Sequence, residues 1–275
     1  MKNLRLTSLL LGLMIAIMPL SLKAQKLGFR VCVDESDTPP LLTSEFPSSK
    51  SKQAAGLLID LMDLALRNLN LSLEVVRYPW QRCIAKFKSG DIDAIVGLVW
   101  QKEYEKWAVF PMMAGHPDEN YRLWQANYSI FVAPDSQVQW DGFNFAGLEK
   151  GASTVQGAFI EKSLKQMQAF SNQSYSATDG LRLVSLNHLD AYVMESIKGR
   201  SLIKEYALEG KLTELALPFA HTNWFVPVSS KWAARNPELT QAFWQALKRA
   251  RIERGAELLR SYVSPYAGLA PPLAQ

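Results

Sequence analysis

Three kinds of group in this sequence have recognisable chemistry: aromatic rings, a carboxylate at the end of an apolar run, and backbone N–H groups where a helix begins. Trp80, Trp100 and Tyr104 offer ring faces for a cation or a flat group, and for a cation one face contributes about 0.5–2 kcal/mol. Arg82 follows Trp80 by two residues and can meet an anionic group or simply solvent. Glu195 closes the run Ala191-Tyr192-Val193-Met194. In a dry cleft such a carboxylate makes a charge-assisted hydrogen bond. Gly157-Ala158-Phe159 opens a helical stretch whose N–H groups and dipole suit an anion, with Ser153 and Thr154 adding hydroxyls. Each candidate also has a plain structural reading. Trp80 shares a face with Ile84 and Phe87 and fits a core, Glu195 fits an exposed strand end, and any glycine before a helix resembles Gly157.

Catalysis would need a nucleophile, a base or a metal. His116, His188 and His221 are far apart, and neither Gly-x-Ser-x-Gly nor His-Glu-x-x-His occurs. The two cysteines, Cys32 and Cys83, fit no metal spacing. No catalytic residue, metal or cofactor is expected. In an oxidising compartment an isolated cysteine pair is one disulfide or two buried thiols. A bond between Cys32 and Cys83 is the expectation, tying the first strand to the helix that carries Trp80 and stabilising by about 2–4 kcal/mol.

The elements that must position these groups alternate. Phe29–Val33 reads as a strand running into the turn-rich Asp34–Pro40, followed by a polar excursion over 43–55. Leu58, Leu61, Met62, Ala65 and Leu69 mark one face of a helix after Gly56. Leu71–Val76 alternates as a strand, Pro79-Trp80 opens a helix through Lys88, and Ile92–Val96 makes a third strand. Strand, helix, strand, helix, strand implies a parallel sheet. A second unit begins near Tyr128, with strands at Tyr128–Val132, Ala152–Val155 and Ala191–Met194 and helices after Gly157 and Gly180. Asn223–Val226 returns to the first unit, and Pro237 starts a long amphipathic helix. Asp93 and Asp190 are expected to stabilise strand connections rather than meet a ligand.

Residues 1–24 read as a cleavable secretory signal: Lys2 and Arg5 precede an apolar run from Leu9 to Leu20, too short for the ~20 residues that span a bilayer. Cleavage leaves about 250 residues, comfortable for two lobes. The formal charge of +4 includes Lys2, Arg5 and Lys23 of the leader, so the mature chain is close to neutral. It has no concentrated basic stripe for nucleic acid.

The run Gly56-Leu57-Leu58-Ile59-Asp60-Leu61, then Pro79-Trp80, then Lys88-Ser89-Gly90-Asp91-Ile92-Asp93-Ala94-Ile95, and a second Asp190-Ala191 strand start, resembles bacterial periplasmic solute-binding proteins of family 3. That family includes the polar amino-acid binders of ABC importers. The resemblance implies a type II periplasmic binding protein fold, an α/β architecture of two Rossmann-like lobes joined by two hinge strands. Lobe 1 would hold 25–123 and 223–275, and lobe 2 would hold 124–222. It places Trp80 over the ligand, and Glu195 where amino-acid binders carry the aspartate that holds the ligand ammonium. It also shows a departure. Gln101 and Tyr104 stand where those binders have Thr and the Arg that grips the ligand carboxylate. Lys102 or Arg82 would not reproduce that geometry. An ordinary α-amino acid is therefore a poor fit, and Trp80, Trp100 and Tyr104 suit an amine, a peptide-like fragment or a flat ring.

The expectation is a soluble periplasmic monomer that closes on a small polar or cationic solute and delivers it to the membrane permease of an ABC importer. The alternative is a ligand sensor docking onto a membrane receptor. A dehydratase-like enzyme on the same fold, with Glu195 as acid or base, is the third reading.

Overall fold

The computed structural model describes residues 26–44, 56–157 and 159–263. The leader at 1–24, most of the polar excursion, Ala158 and the tail from Ser264 lie outside the described residues. Along the chain, β1 (Leu27–Asp34) is followed by α1 (Leu57–Arg67), β2 (Leu71–Tyr78), α2 (Trp80–Ser89), β3 (Ala94–Ile95) and β4 (Ala108–Val109). A hairpin of β5 (Met112–Met113) and β6 (His116–Pro117) leads into the long β7 (Trp124–Val132). Next come a second hairpin, β8 (Gln139–Trp140) with β9 (Phe145–Ala146), then β10 (Ala152–Ser153), α3 (Phe159–Gln166) and α4 (Ala177–Ser185). After these, β11 (Ala191–Glu195) runs directly into α5 (Ser196–Glu205), followed by β12 (Thr213–Glu214) and β13 (Ala220–Trp224). The chain returns through β14 (Val228–Ser229), α6 (Ser230–Arg235) and α7 (Pro237–Val263).

Two five-stranded sheets result. The first has the order β2-β1-β3-β14-β4, with β1 parallel to both β2 and β3 and β14 antiparallel to its neighbours. The second has the order β10-β11-β7-β12, with β10 parallel to β11 and β13 added to the leading half of β7. Period-2 alternation explains why both sheets are covered on two faces. In β1, Phe29, Val31 and Val33 pack with α1 and α7, while Cys32 points into the opposite cluster with Cys83 and Phe87. In β11, Ala191 and Val193 meet Ile160 and Leu164, while Tyr192 and Met194 meet Leu181, Val184 and Leu202. The chain is thus an α/β protein of two lobes.

What joins the lobes is the antiparallel ribbon of β7 and β13, in register from Trp124 opposite Trp224 to Tyr128 opposite Ala220. One differing expectation concerns β3, whose paired residues are Ala94–Ile95 rather than Ile92–Val96; the Asp93 and Val96 N–H groups still donate to the Arg30 and Cys32 carbonyls, and the chain leaves the parallel ladder after Val96. Gly97 and Leu98 donate instead to the carbonyl of Phe225. Cys32 and Cys83 are joined in a disulfide across 51 residues of sequence, with Cα atoms 5.7 Å apart.

Candidate functional site

The parallel strands of both sheets end at the same gap, the place where open α/β sheets expose loops and free backbone groups. There a cavity of about 150 Å³ is walled by both lobes. The first lobe supplies Asp34 from the end of β1, Thr38, Trp80 from the start of α2, and Gly97. The second supplies Tyr128, Thr154, Glu195 and Lys198, and Trp224 comes from the connecting ribbon. Gly97 has φ +83°, and a Cβ there would stand 3.3 Å from the Trp224 indole, so the absence of a side chain lets backbone and ring face each other.

Glu195 is the chemical centre. It is the last residue of β11 and caps α5, its Oε2 accepting from the Lys198 backbone N–H at 2.8 Å. Burial, with only 6% of the residue exposed, pushes its carboxyl up to about 7; the N–H groups of Lys198 and Ile197 oppose that shift without cancelling it. The Lys198 ammonium reaches across the gap to Asp34 Oδ1 at 3.3 Å. Trp224 Nε1 donates to Tyr128 Oη at 3.2 Å, locking two of the three rings together. Burial raises the Tyr128 phenol well above its ordinary range, and the neighbouring Glu195 adds to the shift. Behind Glu195, Ser196 Oγ donates to the Asn127 carbonyl at 2.9 Å and lies 2.5 Å from Ser129 Oγ, which also donates to Glu214. Arg200 holds Glu214 with two bonds, of 2.8 and 2.9 Å. This network fixes the start of α5, and with it Glu195 and Lys198.

The candidates named from sequence divide. Trp80 and Glu195 line the cavity, and Thr154 joins them. Arg82 does not: it is exposed, its guanidinium stacked 4.4 Å from the Tyr78 ring centroid. Trp100 lies outside the cavity as well, donating from Nε1 to Glu105 at 3.3 Å and packing edge-on against His116. Tyr104 and Gly157 line a separate open cleft at the rim with Gln101, Glu161, Lys162 and Lys165. Tyr104 falls outside because the 3-10 turn at Lys102–Lys106 carries it against Trp107 rather than inward, and the Gly157 N–H is turned to Glu161. Phe159 packs its ring against Tyr128 at 4.9 Å, behind the site rather than in it, and Ala158 lies outside the described residues. Ser153 is buried, donating to the Gln173 carbonyl. Asp190 accepts from the backbones of Glu149, Lys150 and Gly151, and Asp93 from that of Arg30, both holding loops.

Sequence reading missed Asp34, Tyr128, Lys198 and Trp224. Asp34 carried a usable signal, since it ends a parallel strand at its carboxyl end. Tyr128 and Trp224 were placed in strands, but only the β7–β13 register shows that they meet. Lys198 depends on α5, a helix with little periodic signal.

A family model of bacterial extracellular solute-binding proteins, family 3, matches residues 29–264. The chain belongs to that family. Among solved structures, this solute-binding protein is similar to a histidine kinase sensor domain with similarity to periplasmic binding proteins. The TM-score is 0.67 at 18% identity, covering 90% of this chain and 99% of that one. It is similar to the substrate-binding protein of an amino acid ABC transporter, with TM-score 0.66, 16% identity, and coverage of 86% and 99%. It is also similar to an ancestral amino-acid-binding protein described as a precursor of cyclohexadienyl dehydratase, with TM-score 0.62, 18% identity, and coverage of 86% and 95%. At these identities the likeness shows the fold. No curated protein sequence matches the chain. Among the described residues no helix is long and apolar enough to cross a membrane, and no cluster of His, Cys, Asp and Glu could hold a metal ion.

Proposed function

We propose that this protein works in the periplasm as the capture component of an ABC importer, closing lobe 1 (25–123 with 223–275) and lobe 2 (124–222) on one small polar or cationic solute. The observation that carries the reading is the cavity between the lobes, where rings from both sides and from the ribbon surround a buried carboxylate. Groups contributed by both lobes bind best when the lobes are together, so a ligand shifts the population toward the closed form. Contacts already bridge the gap: Gln81 Nε2 donates to the Gln156 carbonyl at 2.7 Å, and Lys162 pairs with Glu103 at 2.9 Å.

A thermal-shift screen of amines, amino acids, small peptides and organic acids on the mature protein tests this. A solute that raises the melting temperature of wild type more than that of Trp80→Ala at the same concentration supports capture. No stabilisation by any class, together with scattering profiles that never change, overturns it. The sensor reading has one observation in its favour, the near-complete coverage of a histidine kinase sensor domain. Uptake of the labelled solute in cells lacking the gene separates the two: lost uptake means import, and intact uptake with a lost transcriptional response means sensing.

A further inference from the structure

The groups around the cavity carry both signs of charge, and the positive one, Lys198, is already committed to Asp34. We infer that the solute is an organic amine or related monocation without an α-carboxylate. This rests on the capture reading and narrows it.

Among the described residues, each cationic group and helix start near the cavity already holds a carboxylate or lies elsewhere, and the hydroxyls of Thr38, Thr154 and Tyr128 bring no charge to offset one. Of the lining residues described, Lys198 is the one cation, and it is paired with Asp34. At the start of α3 the Gly157 N–H donates to Glu161 Oε2 at 2.6 Å, and Glu161 is held in turn by Lys165 at 2.5 Å. The start of α5 is capped by Glu195 itself. Arg82 lies outside on Tyr78. Arg77 is bound to Asp37 at 2.5 Å and to the Glu35 carbonyl at 2.7 Å, and is not a lining residue. Gln101 and Tyr104 face the rim cleft and supply no guanidinium.

The negative side, by contrast, has a surplus. Asp34 and Glu195 bring two carboxylates to a site with one ammonium. Trp80, Tyr128 and Trp224 add ring faces whose quadrupoles attract a cation. An entering ammonium would find Glu195 and these faces waiting. An entering carboxylate would lose its water, meet Glu195 in a site of low polarity, and have to displace Asp34 from Lys198. A zwitterionic amino acid carries both consequences, and its decarboxylated amine only the favourable one.

Matched pairs of monocationic amines isolate that difference: tyramine against tyrosine, phenethylamine against phenylalanine, and isoamylamine against leucine, each titrated calorimetrically into wild-type protein with its disulfide intact. No variant is involved, so folding does not enter. The expected result is that at least one amine binds with a Kd ten or more times lower than that of its parent amino acid. An amino acid binding as tightly as its amine, or more tightly, overturns the inference while leaving capture intact, and would direct attention to Arg77 and Lys198. If none of the three amines binds, the inference also fails, and the capture reading is then judged separately by whether any other class stabilises the protein in the thermal-shift screen.

Discussion

At the residue scale the account turns on Glu195. Its carboxyl is raised by burial to about 7, so the empty site holds it largely neutral below that pH. A cationic solute needs the ionised form. Affinity should therefore be constant above about pH 8 and fall about tenfold for each unit of pH below 7, with proton release on binding that calorimetry in buffers of different ionisation enthalpy would register. The same shift acts on folding with a definite sign. A carboxyl whose folded pKa lies above its unfolded one contributes stability that is present below about pH 4.5 and lost as pH rises through about 7. Glu195→Gln removes that loss, so the melting temperature of the variant relative to wild type should climb between pH 5 and pH 8. A flat difference would mean that Glu195 titrates normally.

Trp80 and Arg82 give a second test at this scale, because they are two residues apart and only one lines the cavity. Trp80→Ala should weaken solute binding by about 2- to 30-fold, the range a ring face contributes to a cation. Arg82→Ala should leave Kd within about twofold. Equal losses in both would place the solute elsewhere. The residue types of the site were legible in the sequence, but the partners were not. A tryptophan at a helix start and a glutamate after an apolar strand are local signals. Tyr128 beside Trp224, or Lys198 reaching Asp34, is a product of register and lobe contact that no local pattern encodes.

At the scale of elements, alternation and helical periodicity located β1, α1, β2, α2, β11 and α7, because each buries a regular set of side chains. They failed for α5 and for the two-residue strands β4, β5, β6, β8, β9, β12 and β14, while β3 and β10 fell inside longer expected strands. The α5 segment has Gly199 in its middle, where a Cβ would collide with the Phe131 ring, so close packing rather than an apolar stripe determines it. The disulfide links two legible elements, β1 and α2, three residues from Trp80. Its loop of 51 residues implies about 4 kcal/mol in the chain-entropy account. Replacing both cysteines by serine should lower unfolding free energy by about 2–4 kcal/mol in urea and weaken solute binding, since α2 carries Trp80. Lost stability with unchanged affinity would show that the packing of α2 alone fixes the ring.

At the scale of the whole molecule, two sheets, each with its own core, are joined by one antiparallel ribbon, and the cavity belongs to neither sheet alone. The order of the elements carried that architecture in the sequence; the depth and charge of the gap emerged only from the folded chain. The most direct measurement uses spin labels across the mouth, at cysteines replacing the exposed Lys102 of lobe 1 and Lys165 of lobe 2. Distances are read by double electron–electron resonance with and without a saturating amine from the matched pairs. The account predicts a broad distribution in the free protein that collapses to its short-distance end when solute is added, and no collapse in Glu195→Gln. Solute bound at saturation with the distribution unmoved would contradict it.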